Sequence, residues 1–373
     1  MVDLKGQYYF IKNEVDHAIA EVIKNTTFIN GPAVHEFQSN LEAYLKVKHV
    51  IPCANGTDAL QIALMSLPLE PGDEVITADF TFAATVEVIT LLKLKPVLVD
   101  IDPKTFNINT TAVQNAITPK TKVIIPVHLF GQCAPMESLL EIANQHHLYI
   151  LEDNAQALGA TYTFSNGNKA KTGTMGHLGA TSFFPSKNLG AFGDGGAIFT
   201  NDDDLAHTIR GIVNHGMYQR YYHDVVGVNS RLDAIQAAIL KVKLKYLDFY
   251  NERRKEAALF YDKKFNHCKA LTTPYRSGSC DSHVFHQYTL RVLNGSRDAL
   301  MHHLNSHGIP CAVYYPVPLH KQKAYADPQI DDASFPVTNQ LVNEVISLPM
   351  HTELNSEQLE FITQEVIAFV NGF

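Results

Sequence analysis

Three stretches of the 373-residue chain hold residue types that could do chemistry together, each placed after a short apolar run. In Ala180-Thr-Ser-Phe-Phe-Pro-Ser-Lys-Asn-Leu-Gly, Lys187 lies between Phe183-Phe184, which reads as buried strand, and the glycine-rich turn Gly193-Asp-Gly-Gly. Burial lowers a lysine's pKa toward neutrality, which a Schiff-base amine requires. A lone lysine in such a place is more often a solvated loop residue, and the glycines by themselves mark only tight turning or close backbone approach. In Glu152-Asp-Asn-Ala-Gln, at the end of a run too apolar for a surface strand, a carboxylate is partly desolvated and needs a cationic partner. A protonated pyridine nitrogen held by Asp153 would be one; a helix N-cap or a metal ligand are the alternatives, the metal weakened by the lack of a nearby His or Cys set. In Cys53-Ala-Asn-Gly-Thr-Asp-Ala-Leu, Gly56 and Thr57 open a helix whose free N–H groups and hydroxyl suit a phosphate, or form an ordinary cap with Asn55 or Thr57.

Such residues need a scaffold that brings loop ends together. Short apolar runs (Glu74-Val-Ile-Thr, Pro96-Val-Leu-Val-Asp, Lys122-Val-Ile-Ile-Pro-Val, Leu148-Tyr-Ile-Leu-Glu-Asp, Gly196-Ala-Ile-Phe-Thr) alternate with helical stretches at 57–66, 83–93 and 136–146. This alternation predicts an α/β layer with a mainly parallel sheet, in which ligands bind beyond the carboxyl ends of the strands. After residue 230 the texture changes. Helices are expected over 232–246, 253–265, 298–306 and 356–370, and strands over 287–292 and 311–315. The division expected is a large domain over 1–245, opened by a helical segment, and a smaller α+β domain over 246–373.

Composition narrows the function classes. Thirty Lys and Arg against 38 Asp and Glu give a net charge of −8, which argues against nucleic acid as the main partner. The five cysteines are scattered with no CxxC pair, so neither a disulfide framework nor a zinc site is expected. Hydrophobic runs break at Lys or Pro well short of membrane length, and the first residues carry no apolar signal segment; a cytoplasmic enzyme is expected. His146-His147, His302-His303 and His283/His286 show no acidic or cysteine partner in sequence, so no metal is expected. Tyr218–His223 reads equally as a nucleotide-covering loop or a plain surface loop.

Seven blocks in order resemble the DegT/DnrJ/EryC1/StrS family of pyridoxal-phosphate (PLP) sugar aminotransferases, of fold type I. They are Asn55-Gly-Thr-Asp-Ala-Leu, Phe80-Thr-Phe-Ala-Ala-Thr, Glu152-Asp-Asn-Ala-Gln, Ser182-Phe-Phe-Pro-Ser-Lys, Gly193-Asp-Gly-Gly-Ala, Gly227-Val-Asn-Ser-Arg-Leu-Asp and Tyr315-Pro-Val-Pro-Leu-His. The resemblance implies that Lys187 carries the cofactor and shuttles protons, Asp153 pairs with the pyridinium nitrogen, and Gln156 lies on the phenolic oxygen side. It implies that Phe82 stacks on the ring and that Gly56, Thr57 and Ser182 hold the phosphate. Asn229 would reach that phosphate from the other subunit of a homodimer. Arg231 would contact the amino donor's carboxylate or an acidic sugar, with an ion pair on the following helix as its plainer reading. Tyr314, Tyr315 and His320 fall in a Pro-rich loop that the resemblance places over the nucleotide sugar. There the chain has Tyr314-Tyr-Pro where its nearest relatives commonly have His-Tyr-Pro, and a packed aromatic is the alternative for Tyr314.

The activity implied is ping-pong transfer from glutamate to a keto nucleotide sugar. A UDP-2-acetamido-2-deoxy-3-oxoglucuronate of bacterial O-antigen or lipopolysaccharide biosynthesis is the substrate expected, with a dTDP-linked 3-keto-6-deoxyhexose (or a 4-keto sugar) as the competitor. Sugar dehydratases of the same family carry histidine at the lysine position, which Lys187 contradicts. A regulator without catalysis is the remaining rival.

Overall fold

The computed structural model describes residues 1–280, 283–293 and 295–372. Its centre is a seven-stranded sheet, in the spatial order His49–Cys53, Gly196–Thr200, Leu178–Ser182, Tyr149–Asp153, Thr121–Ile125, Glu74–Ala78, Lys95–Val99. All pairings are parallel except those of Gly196–Thr200, which runs against both its neighbours. The strands Tyr149–Asp153, Leu178–Ser182 and His49–Cys53 therefore all end at the same edge of the sheet, where Asp153, Ser182 and Cys53 stand.

The runs are apolar throughout because both faces of the sheet are covered. Side chains alternate between faces: Ile76, Ile124 and Ile150 enter one core, with Leu139, Phe106 and Phe130, while Val75, Val123, Ile125 and Leu151 enter another, with Leu60, Val88 and Ile209. The covering helices start where the sequence signals them. Gly56–Met65 is capped by Asn55, whose side chain accepts from the Asp58 amide, and Asp203–Ile212 by Asp202. A third core joins the helices Pro32–Leu45 and Ala234–Leu244 to Phe183, Ala197 and Phe199.

From residue 257 to 370 a fourth core forms around the antiparallel strands Leu271–Thr272, Tyr288–Val292 and Val345–Leu348, covered by Arg297–Ser306 and Ser356–Asn371. Leu341, Val342 and Val345, from the same part of the chain, pack instead into the first sheet core. The expected strand over 311–315 does not form; only Ala312 bridges Ser347. Pro310, Pro316 and Pro318 bracket the segment, and a proline removes a donor from any ladder. Phe183-Phe184 likewise lies just past its strand, which ends at Ser182.

Candidate active site

Asp153 ends its strand buried, on the face of the sheet opposite to Glu152. Its carboxylate accepts from the Thr85 hydroxyl at 2.8 Å and from the Ala155 amide at 3.1 Å. Burial pushes this carboxyl up from its ordinary value, while those hydrogen bonds and the charge of Lys187 pull it back. Lys187 retains some exposed surface, yet the protein crowded around its amine pushes it down to about 8, with Asp153 opposing the shift. The two groups sense one another's charge, but among the described residues no ion pair or hydrogen bond joins them. An amine and a carboxylate thus stand within reach of one another's charge, neither paired to the other.

Glycine is required at the same end of the sheet, beside Ser182. A Cβ on Gly56 would meet the Ser182 Cβ at 2.6 Å, and one on Gly196 would meet the Asn55 carbonyl oxygen at 2.3 Å. The close approach sets the first turn of Gly56–Met65 against Ser182. The Gly56 and Thr57 amides have no carbonyl four residues back within the helix, so they are free to receive an anion. Phe82 stands at the mouth, 57% exposed, with its ring 6.3 Å from that of Tyr315. Gln156 links the floor to the Pro-rich loop: its oxygen accepts from the Phe130 amide at 2.6 Å, and its nitrogen donates to the Tyr315 hydroxyl at 3.1 Å.

The structure thus brings Gly56, Thr57, Phe82, Asp153, Gln156, Ser182, Lys187 and Tyr315 to one end of the sheet. It does not bring His320 there as a free group. That imidazole is buried against Phe335, with Nδ1 at 2.6 Å from Asp79 and Nε2 at 2.9 Å from Asp332, so neither nitrogen is left for a ligand. With the His320 amide also donating to Asp79, the histidine is a rivet for the loop. Tyr314 packs against the first sheet core, as its plainer reading had it. Arg231 forms no ion pair among the described residues; its guanidinium donates to the Asn214 side-chain oxygen at 3.4 Å. Asn229 is exposed and bridges Asn214 through the backbone.

Three participants were not singled out from the sequence. Thr85 stands inside the Phe80-Thr-Phe-Ala-Ala-Thr block, where a polar residue on an otherwise apolar helix start was a usable signal. Glu152 was read only as part of its motif. It accepts from the Gly173, Met175 and Gly176 amides at 2.6–2.7 Å and from His128 at 2.8 Å. His286, buried beside Lys187, has an unpartnered Nδ1, and burial followed by the charges of Lys187 and Arg254 holds it far below its ordinary pKa. A neutral imidazole there avoids setting a second cation against the amine.

Chemically, the groove suits a flat, partly charged ring carrying an anion. Asp153 offers an under-satisfied carboxylate at the buried end, Phe82 an apolar face, Lys187 a nucleophilic amine, and the Gly56 cradle a phosphate seat. Phe82 and Phe184 (53% exposed) are open to solvent, and Phe28, Ile29, Tyr221 and Tyr222 are also exposed apolar surface.

Comparison with known proteins agrees with this chemistry. A protein-family model described as the DegT/DnrJ/EryC1/StrS aminotransferase family matches residues 10–367. A Pseudomonas aeruginosa relative named UDP-2-acetamido-2-deoxy-3-oxo-D-glucuronate aminotransferase is 45% identical, over 97% of this chain and 97% of its own length. A Geobacillus stearothermophilus relative named pleiotropic regulatory protein is 44% identical, over 100% and 99%. Among solved structures, a family aminotransferase from Brucella abortus superposes with a TM-score of 0.93 at 39% identity, covering 99% of this chain and 98% of that one. NtdA from Bacillus subtilis, with bound cofactor PMP, does so at 0.88 and 30%, covering 96% and 82%.

Proposed function

The chain belongs to the DegT/DnrJ/EryC1/StrS aminotransferase family, and on that premise we propose that it transfers the amino group of glutamate to C3 of a UDP-2-acetamido-3-oxoglucuronate-type sugar for bacterial surface polysaccharide. That it is a sugar aminotransferase using pyridoxal phosphate follows from the family itself. When bound, the cofactor supplies a carbonyl carbon that accepts amino groups and a ring that stores an electron pair.

The protein's own groups divide the remaining work. Lys187 would hold the cofactor and, once its Nζ is free, carry the proton that completes transfer; a pKa of about 8 gives it a sizeable neutral fraction near physiological pH. Asp153 would keep a positive ring nitrogen in place, aimed by the Thr85 hydroxyl. Phe82 would cover the ring, Gln156 would stand on its phenolic oxygen side, and Gly56, Thr57 and Ser182 would hold the phosphate. Asn229 from a second copy would reach that phosphate, in a homodimer for which the exposed apolar surface is the supporting observation. Arg231, without an acidic partner among the described residues, would take a carboxylate, whether from glutamate or from a uronate. Tyr315, whose hydroxyl accepts from Gln156, would line the sugar side.

The observation that carries the reading is that buried Asp153, with two hydrogen-bond donors, and crowded Lys187 stand at one end of the sheet within reach of one another's charge, with neither paired to the other. The uronate is favoured by the 45% identity to the Pseudomonas enzyme. Relatives named as dTDP-3-amino sugar transaminases, 38% identical to this chain, support a dTDP-linked 3-keto-6-deoxyhexose as the second reading. Incubating the enzyme and glutamate with a panel of keto nucleotide sugars, followed by mass spectrometry, tests both. Nitrogen gained by the uronate alone is expected. A protein that binds pyridoxal phosphate but aminates no sugar in the panel would overturn the assignment in favour of a regulator.

A further inference from the structure

Far along the chain from the groove, the helix Arg297–Ser306 and its C-cap carry His303 and His307, four residues apart and so on one face. The helix Ser356–Asn371 brings Glu365 against them. One ligand atom from each of the three residues lies within 4.8 Å of the others. The Glu365 carboxylate is 3.0 Å from His303 Nε2 and 3.6 Å from His307 Nε2. His303 and Glu365 are partly buried, and His307 is exposed.

The proton positions on His307 are fixed by what surrounds its other nitrogen. Nδ1 lies 2.9 Å from the His303 carbonyl oxygen, which can only accept, and 3.2 Å from the Ser306 hydroxyl, whose own proton is directed to the same carbonyl at 2.7 Å. Nδ1 therefore carries a hydrogen. In the neutral ring, Nε2 then presents a lone pair to a carboxylate oxygen 3.6 Å away. Two lone pairs facing each other repel unless something positive stands between them. Backbone anchoring of Nδ1–H is also the outer contact that orients a metal-binding histidine for coordination through Nε2. The 3.0 and 3.6 Å separations bracket the ligand-to-ligand edge of about 3.3 Å expected for tetrahedral coordination with bonds near 2.0–2.1 Å.

We propose that His303, His307 and Glu365 form a binding site for a divalent transition-metal ion of the zinc class, with water as the fourth ligand. Two imidazoles and one carboxylate select a borderline ion over magnesium or calcium, which prefer all-oxygen sets. The metal ties the Arg297–Ser306 helix to the last helix, in the core built from residues 257–370. Its role is structural, distinct from the groove, and independent of which sugar the enzyme uses.

Calorimetric titration of chelator-treated, untagged holoenzyme with zinc chloride near neutral pH tests this, with melting temperature as the second readout. One saturable equivalent and a zinc-dependent rise in melting temperature are expected. His303→Ala, His307→Gln and Glu365→Gln should each weaken binding by about tenfold or more and remove the rise, while His302→Ala leaves both intact. Should His303→Ala fold poorly, the exposed His307→Gln and the isosteric Glu365→Gln decide the matter. No saturable zinc uptake, or uptake equal to wild type in those two variants, overturns the site and leaves the cluster as a histidine–glutamate ion pair.

Discussion

Glu152 and Asp153 are consecutive acids on one strand, both buried, and the fold treats them in opposite ways. Glu152, on one face, accepts three backbone N–H bonds and one from His128. The Ala134 amide donates to His128 Nδ1, which fixes the proton on Nε2 and directs it at Glu152. That carboxylate closes the 173–176 turn and has no capacity left for a ligand. Asp153, on the other face, has two donors and a distant amine, and burial raises its pKa. A buried acid saturated by backbone builds structure, whereas one left short of partners is available to a cation brought from outside.

If this division is right, substitutions should separate activity from stability. The largest effect is expected at the amine: Lys187→Ala should lower turnover by about a thousandfold or more with an unchanged melting temperature. Asp153→Asn should cost about a hundredfold or more in kcat and little stability, measured by steady-state kinetics beside thermal melts. Glu152→Gln should do the reverse, losing about 3 kcal/mol of stability in denaturant melts, because an amide nitrogen then faces amide donors, while turnover per folded molecule stays near wild type. Exchanged outcomes for these two variants would break the comparison. Thr85→Val removes one hydrogen bond to Asp153 and should lower kcat up to about tenfold. The smallest effect is a pH shift: the neutral, nucleophilic form of Lys187 grows as pH rises through about 8. Uptake of pyridoxal phosphate by cofactor-free protein, followed by visible absorbance, should accelerate through that pH and then level off. A midpoint near the ordinary lysine value of 10.5 would mean that the amine is not crowded.

Much of this was legible in sequence because it is local. Apolar runs without charge marked buried parallel strands, and the strand expected at 148–153 is observed at Tyr149–Asp153. Asn-Gly-Thr before an apolar helix marked a capped N-terminus, found at Asn55. The 311–315 segment has the aromatic and β-branched content of a strand, but its flanking prolines withhold donors from a ladder. His320 was read as a ligand contact from its place in a motif, although the two carboxylates that occupy it come from 241 residues upstream and 12 downstream.

By itself, then, the chain determined the alternation of strand and helix, the order of the seven motif blocks, and the residue types at the sheet's edge. Tertiary structure alone decided which of two adjacent acids would be saturated, that Thr85 would aim Asp153, and that Glu365 would meet two histidines about sixty residues before it. The physical reason is that periodicity and capping are written within a few residues, while the satisfaction of a buried polar group depends on whichever distant donor the packing delivers to it.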